Sequence, residues 1–284
     1  IWTIYLFLRS LSCFFNHKRS KCILHFTIKF RKNFYSQNGE DGIIEKLIID
    51  LGLEKKLTLC EFGAWDGKYL SNTFNLIKKF QSIALLIEGD KYKFKNLLDT
   101  SRKYQNIIPV QKFVSFEGKN SLDQILSENS FPSDFDLLSI DIDSNDLEIW
   151  ESLINFKPKI VIIEINSSIL PGIKQRHDPN KGKLGSSFTS TLEVAKKKGY
   201  FLVAHTGNLI FIKNKFKEKI NFDLSLLENP EKLFIYDWVI EKSFLRNFFI
   251  NIMKFLFPKF IRKKVPSRIK QMLKPTLNNH NKFK

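Results

Sequence analysis

Three groups of residues in this 284-residue chain have the types and spacing to do chemistry. The first is Glu61-Phe62-Gly63-Ala64-Trp65-Asp66-Gly67, which closes an apolar run. Glycines at such a point let the backbone turn sharply and approach a ligand with no Cβ in the way. The form is E-x-G-x-x-x-G, so the central glycine of a dinucleotide fingerprint is missing, and no G-K-[ST] follows to make a P-loop. An acid two residues before the first glycine would repel a pyrophosphate and suit the ammonium of a methionine moiety. S-adenosylmethionine is therefore favoured over a nicotinamide cofactor. The second group is Glu88, 21 positions beyond Gly67 and at the end of the next apolar run. An acid there can accept both hydroxyls of a ribose. The alternative is that Glu61 and Glu88 are loop acids outside any site.

The third group is Asp141, Asp143 and Asp146, with Glu164 at the end of a further run. Three roles are open. Asp141 or Asp143 could orient an acceptor hydroxyl or take its proton. Asp141 and Asp143, with Glu164 or Asn166, could hold a divalent cation such as Mg²⁺ through oxygen ligands. Asp146 could simply cap a helix. His177 in a long loop is either a base or a solvated side chain, and His205 reads as structural.

These residues need elements to hold them. Apolar runs at 57–62, 82–88, 106–110, 136–142 and 160–165 lack strict alternation, as strands buried on both faces do. Helical stretches at 69–80, 91–103 and 187–198 separate them, which predicts right-handed βαβ units and a parallel sheet. Residues 200–205 and 208–213 flank Thr206-Gly207 as a β-hairpin. The expected fold is α/β: a Rossmann-like, doubly wound, mostly parallel sheet closed by a C-terminal hairpin, the class I methyltransferase arrangement. Residues 166–185 form a long loop rich in Gly, Pro and Lys, of a kind that often serves as a lid.

Net charge is +17, and it belongs to the ends. Residues 1–39 carry +7 and residues 241–284 carry +11, which leaves −1 for 40–240. A neutral middle argues against a nucleic-acid enzyme, as does the absence of an Asn-Pro-Pro-aromatic run after the fourth strand. Basic tails point to an anionic surface. Residues 244–264 mix Phe, Ile and Leu with Arg and Lys, and read either as an interfacial segment on anionic lipid or as a helix docked on the domain. Residues 1–15 are apolar but interrupted by Arg9, and read as a packing or interfacial helix or the end of a signal or anchor. Cys13, Cys22 and Cys60 give neither metal spacing nor a disulfide framework, and Cys60 lies in an apolar run. The expected location is cytoplasmic, with peripheral membrane attachment. The expected division is an N-terminal extension 1–33, a methyltransferase domain 34–215 and a C-terminal extension 216–284. Oligomeric state is not fixed by the sequence.

YSQNGEDGIIEKL (35–47), CEFGAWDGKYLSNTFNLI (60–77), LLIEGD (85–90), DLLSIDIDSNDLEIW (136–150) and IVIIEIN (160–166) together resemble the FkbM-type methyltransferases and their relatives. The resemblance covers residues 34–213. It implies an S-adenosylmethionine domain and, usually, O-methylation of sugars, glycan precursors or natural products. Carried over by position, Glu61, Gly63 and Gly67 match the cofactor loop, and Glu88 matches the ribose acid; Ala64 and Asp66, within the loop, are also expected to contact the cofactor. Gln37, Glu40 and Asp41 match the helix that packs over the cofactor. Ser71 and Asn72 open the next helix, where they could hydrogen-bond the cofactor carboxylate. Trp65-Asp66 stands where the family's simplest form has a small residue and a more glycine-rich turn, which favours the FkbM-like branch. The rival to an enzyme is a non-catalytic binding module on the same fold, tethered by its basic tails.

Overall fold

The computed structural model describes residues 29–223 and 225–239. The apolar N-terminal segment, the segment 241–284, Cys13 and Cys22 lie outside the described residues. Five parallel strands, β1 (Thr58–Phe62), β2 (Ile83–Ile87), β3 (Ile107–Val110), β4 (Leu137–Ile140) and β5 (Ile160–Glu164), form most of one sheet. The hairpin β6 (Tyr200–His205) and β7 (Asn208–Lys213) completes it, with β7 antiparallel to β5. The order is β3-β2-β1-β4-β5-β7-β6. Five parallel strands with an inserted antiparallel β7 define the class I methyltransferase fold.

The strands take this form because their runs are buried on both faces. Leu59, Cys60, Phe62, Ala84–Ile87, Leu137, Leu138 and Ile160–Ile163 are all inaccessible to solvent. Burial holds the Cys60 thiol protonated by raising its pKa. The helices α1 (Glu40–Leu51), α2 (Phe74–Phe80), α3 (Lys91–Lys103), α4 (Leu122–Glu128), α5 (Asp146–Ser152) and α6 (Phe188–Lys197) connect them. Local chemistry sets the helix limits. Asp90 caps α3 by accepting from the backbone N–H groups of Tyr92 and Lys93, and Arg102 and Lys103 complement its C-terminal dipole. Ser187 caps α6 in the same way through Ser190 N–H.

α2 begins at Phe74, five residues later than expected from 69–80. The chain before it is held in turns by side-chain acceptors, Asp66 and Glu61. Contacts also continue on both sides of 34–215. Arg31 donates to the Asn38 carbonyl at 2.8 Å. Beyond 215, Phe216, Phe222, Leu226, Leu233 and Phe234 are buried. Ile235 N–H donates to His205 Nδ1 at 2.8 Å, so the segment covers the hairpin. Among the described residues, no helix is long and apolar enough to cross a membrane.

Candidate functional site

The carboxyl ends of β1, β2 and β4 open onto one cavity of about 590 Å³. That is where ligands bind in open parallel sheets. The cavity is lined by Glu61, Gly63, Ala64, Ser71, Glu88, Asp141 and Asp143 of the sequence-predicted set. The predicted Gln37, Glu40, Asp66, Gly67 and Asn72 do not line it.

Those five make other contacts in the structure. The exposed Gln37 accepts from Asn33 Nδ2 at its backbone carbonyl. Glu40 is fully buried and spends both oxygens inside the protein, one on Asn38 N–H and one on Thr206 Oγ1, each at 2.7 Å. It therefore ties the start of α1 to the hairpin. Asp66 accepts from Lys68 and Tyr69 N–H, fixing the turn after β1. Asn72 donates its side chain to Ser139 Oγ on β4.

The glycines serve the packing of the turn. Gly63 has φ 79°, and a Cβ there would lie 1.8 Å from the Asp141 carbonyl oxygen. It allows the chain leaving β1 to touch the end of β4. Gly67 has φ 74°, and its missing Cβ would lie 2.8 Å from Leu97 and 3.0 Å from Leu86. Protein atoms thus occupy the place a Cβ would take at both glycines.

Glu61 is buried and accepts from Ser71 Oγ at 2.6 Å, Thr73 Oγ1 at 2.5 Å and Asn72 N–H at 3.0 Å. Burial pushes its pKa up, and these bonds oppose the shift. Ser71 is thus a donor to Glu61. Glu88 is held at the end of β2 by Trp65 N–H and Asp90 N–H, each at 2.8 Å and on a different oxygen. A carboxylate oxygen has two acceptor positions, so each keeps one for a ligand.

Asp141 and Glu164 follow directly after the paired ends of β4 and β5, where Ile140 faces Ile163. The two carboxyls interact, so the titration of each depends on the other. Burial, then the charges of Asp146 and Asp143, raises Asp141 to about 7. Burial, then the charge of Asp141, raises Glu164 to about 9. These values belong to the pair. Asp143, at φ 57°, donates its N–H to Glu164 Oε2 at 3.2 Å. Asp146 occupies the first turn of α5 and accepts from Ile142 and Ser144 N–H at 2.8 and 2.9 Å. It closes the loop rather than capping the helix from outside. Among the described residues, no group of three His, Cys, Asp or Glu side chains is placed to hold a metal ion, so the expected divalent cation gains no support.

Some lining residues were not foreseen. Phe113 is 71% exposed, and its ring lies where a Cβ on Gly89 would come within 2.3 Å. Gly89, directly after Glu88, was the available signal. Trp65 sits at φ 47° with its indole 42% exposed, and Lys93 Nζ lies 4.6 Å from the ring centroid. Left-handed backbone at Trp65, Leu70 and Asp143 puts strained residues around the cavity.

His177 Nδ1 accepts from Gly185 N–H at 3.2 Å, and Arg176 pairs with Glu151 at 2.6 Å. The loop 166–185 is thereby fastened to α5. His205 is buried and stacked on Phe234. Because Ile235 donates to Nδ1, Nε2 carries the proton and donates to Ser167 Oγ at 2.9 Å.

No protein-family model and no curated protein matches the chain. Among solved structures, a SAM-dependent methyltransferase from Aquifex aeolicus is similar at 15% identity and TM-score 0.36, covering 59% of this chain and 85% of that one. Precorrin-6y C5,15-methyltransferase from Geobacter metallireducens is similar at 13% and 0.37, covering 67% and 94%. The Methanococcus jannaschii fibrillarin pre-rRNA processing protein is similar at 20% and 0.39, covering 56% and 66%. The fold assignment rests on strand order and direction.

Proposed function

We propose that the chain is an S-adenosylmethionine-dependent methyltransferase acting on a hydroxyl group. The observation that carries this reading is Glu88, whose two oxygens are fixed by backbone donors yet each keep an acceptor position. That arrangement suits two ribose hydroxyls. The exposed Phe113 ring on the same cavity offers an apolar face for an adenine. The acidic lining of Glu61, Asp141 and Asp143 suits the positive charges of the donor's other end. When bound, S-adenosylmethionine would supply a methyl group on a sulfonium centre.

The chain's own work would be alignment and proton removal. Asp141 reaches the cavity, and Glu164 shifts with it. A pair titrating near neutrality is suited to accept the acceptor's proton as the methyl departs. Alignment supplies the rest. A sugar or glycan-precursor hydroxyl as acceptor rests on the FkbM resemblance. An anionic membrane as the place of work rests on the basic tails.

The test is S-adenosylmethionine affinity in Glu88→Gln. Losing one charged acceptor toward a ribose hydroxyl costs about 1.5–3 kcal/mol, or roughly tenfold to a hundredfold in Kd. Unchanged affinity in a folded variant would remove Glu88 from the site and the reading with it.

A further inference from the structure

The acids of this cavity lack cationic partners. Among the described residues, no Lys or Arg forms an ion pair with Glu61, Glu88, Asp90, Asp141 or Asp143, all of which line it. The same holds for Asp41 and Glu164 behind them. Asp136, buried just before β4 at the opposite ends of the strands, shows the contrast, pairing with Lys159 at 2.7 Å. The donors to Glu61 are two hydroxyls and one backbone N–H. Asp41 is 1% exposed and close enough to Glu61 to raise its pKa. One Asp41 oxygen takes three backbone N–H groups at 2.7–2.8 Å, while the other, Oδ1, is buried with no hydrogen-bond partner. Of the two lysines that line the cavity, Lys112 is paired with Glu128 and Lys93 lies over Trp65.

Buried carboxylates are costly without a compensating positive charge. Here the protein leaves that charge to be supplied. We propose that the cavity recognises its ligand by positive charge, binding the sulfonium donor and releasing the neutral thioether product. The proposal rests on the cofactor reading above. In the transfer, the S–CH₃ bond breaks and an O–CH₃ bond forms. The sulfur keeps the bonding pair and becomes an uncharged thioether, and the acceptor's proton passes to the Asp141–Glu164 pair. The step thus removes positive charge from the ligand while it protonates the wall. Both changes weaken the hold on the product.

The pair also makes the selectivity depend on pH. Asp143, Asp146 and Glu61 face Asp141, and Asp141, Asp143 and Asp146 face Glu164; all are acids. At pH 8 the pair keeps one negative charge, and near pH 5.5 it keeps none.

The experiment is calorimetric titration of the full chain with three probes: S-adenosylmethionine, S-adenosylhomocysteine, and the analogue bearing an ammonium in place of the sulfonium. Their adenosine and amino-acid parts are the same, so differences report charge. At pH 8 the two cations should bind about tenfold or more tightly than the thioether, as expected for unit charges a few ångströms apart near a protein surface. The advantage should shrink several-fold at pH 5.5. Thioether binding equal to or tighter than both cations at pH 8 would overturn the proposal while leaving the cofactor reading intact. Binding of none of the three by folded protein would overturn the cofactor reading itself.

Discussion

Gly63→Ala separates two accounts of the glycine turn. If the glycine exists to admit a ligand, the variant should lose affinity and keep its stability. The structure argues the reverse. The new Cβ would lie 1.8 Å from the Asp141 carbonyl oxygen, and backbone cannot swing aside as a side-chain tip can. A residue with a Cβ at φ 79° adds about 1–2 kcal/mol of left-handed strain. Forcing β1 and β4 apart at their ends adds about 1–3 kcal/mol more. The expected loss is about 2–5 kcal/mol, a large part of the 5–15 kcal/mol that holds a typical domain together. Gly67→Ala should cost less, because its nearest neighbours are the methyl ends of Leu97 and Leu86. The assay is urea unfolding of the wild type and both variants, comparing midpoints at unchanged slope. If Gly63→Ala unfolds at the wild-type midpoint, the packing argument is wrong.

Two further predictions concern pH. Glu164 and Asp141 have raised pKa values in the folded state, so the native protein holds more protons than the unfolded chain between about pH 4 and 9. Stability from this pair is present at low pH and lost as pH rises. Glu164→Gln should therefore be more stable than wild type by about 1–2 kcal/mol at pH 8, with the gap closing near pH 4; a constant gap across that range would contradict the raised Glu164 pKa. His205 runs the other way. Burial lowers its pKa to about 3, so its contribution is complete above the unfolded value near 6.5 and is lost as pH falls toward 3. Its imidazole should not titrate above pH 4.5 by NMR, and a midpoint near 6 would refute the buried neutral ring.

Much of the scaffold could be read from the chain. The double-sided apolar runs marked all five parallel strands, and Thr206-Gly207 marked the hairpin at its observed limits. Both signals are local, so sequence carries them. The site was read less evenly. Glu61, Glu88, Asp141 and Asp143 stand at strand ends, where topology alone sends them to one cavity. Glu40 and Asn72 depend on partners 166 and 67 residues away, which no spacing rule names. Phe113 follows β3 in an irregular stretch, and only the fold brings it against Gly89. The late start of α2 reflects competition: Glu61 and Asp66 capture backbone donors that a longer helix would have used.

The most direct test of the account is a crystal structure of the protein grown with S-adenosylmethionine. The account predicts electron density in the cavity at the ends of β1, β2 and β4, with both ribose hydroxyls on Glu88 and the adenine against Phe113. Density elsewhere on the fold, or a cavity empty at saturating ligand, would contradict it.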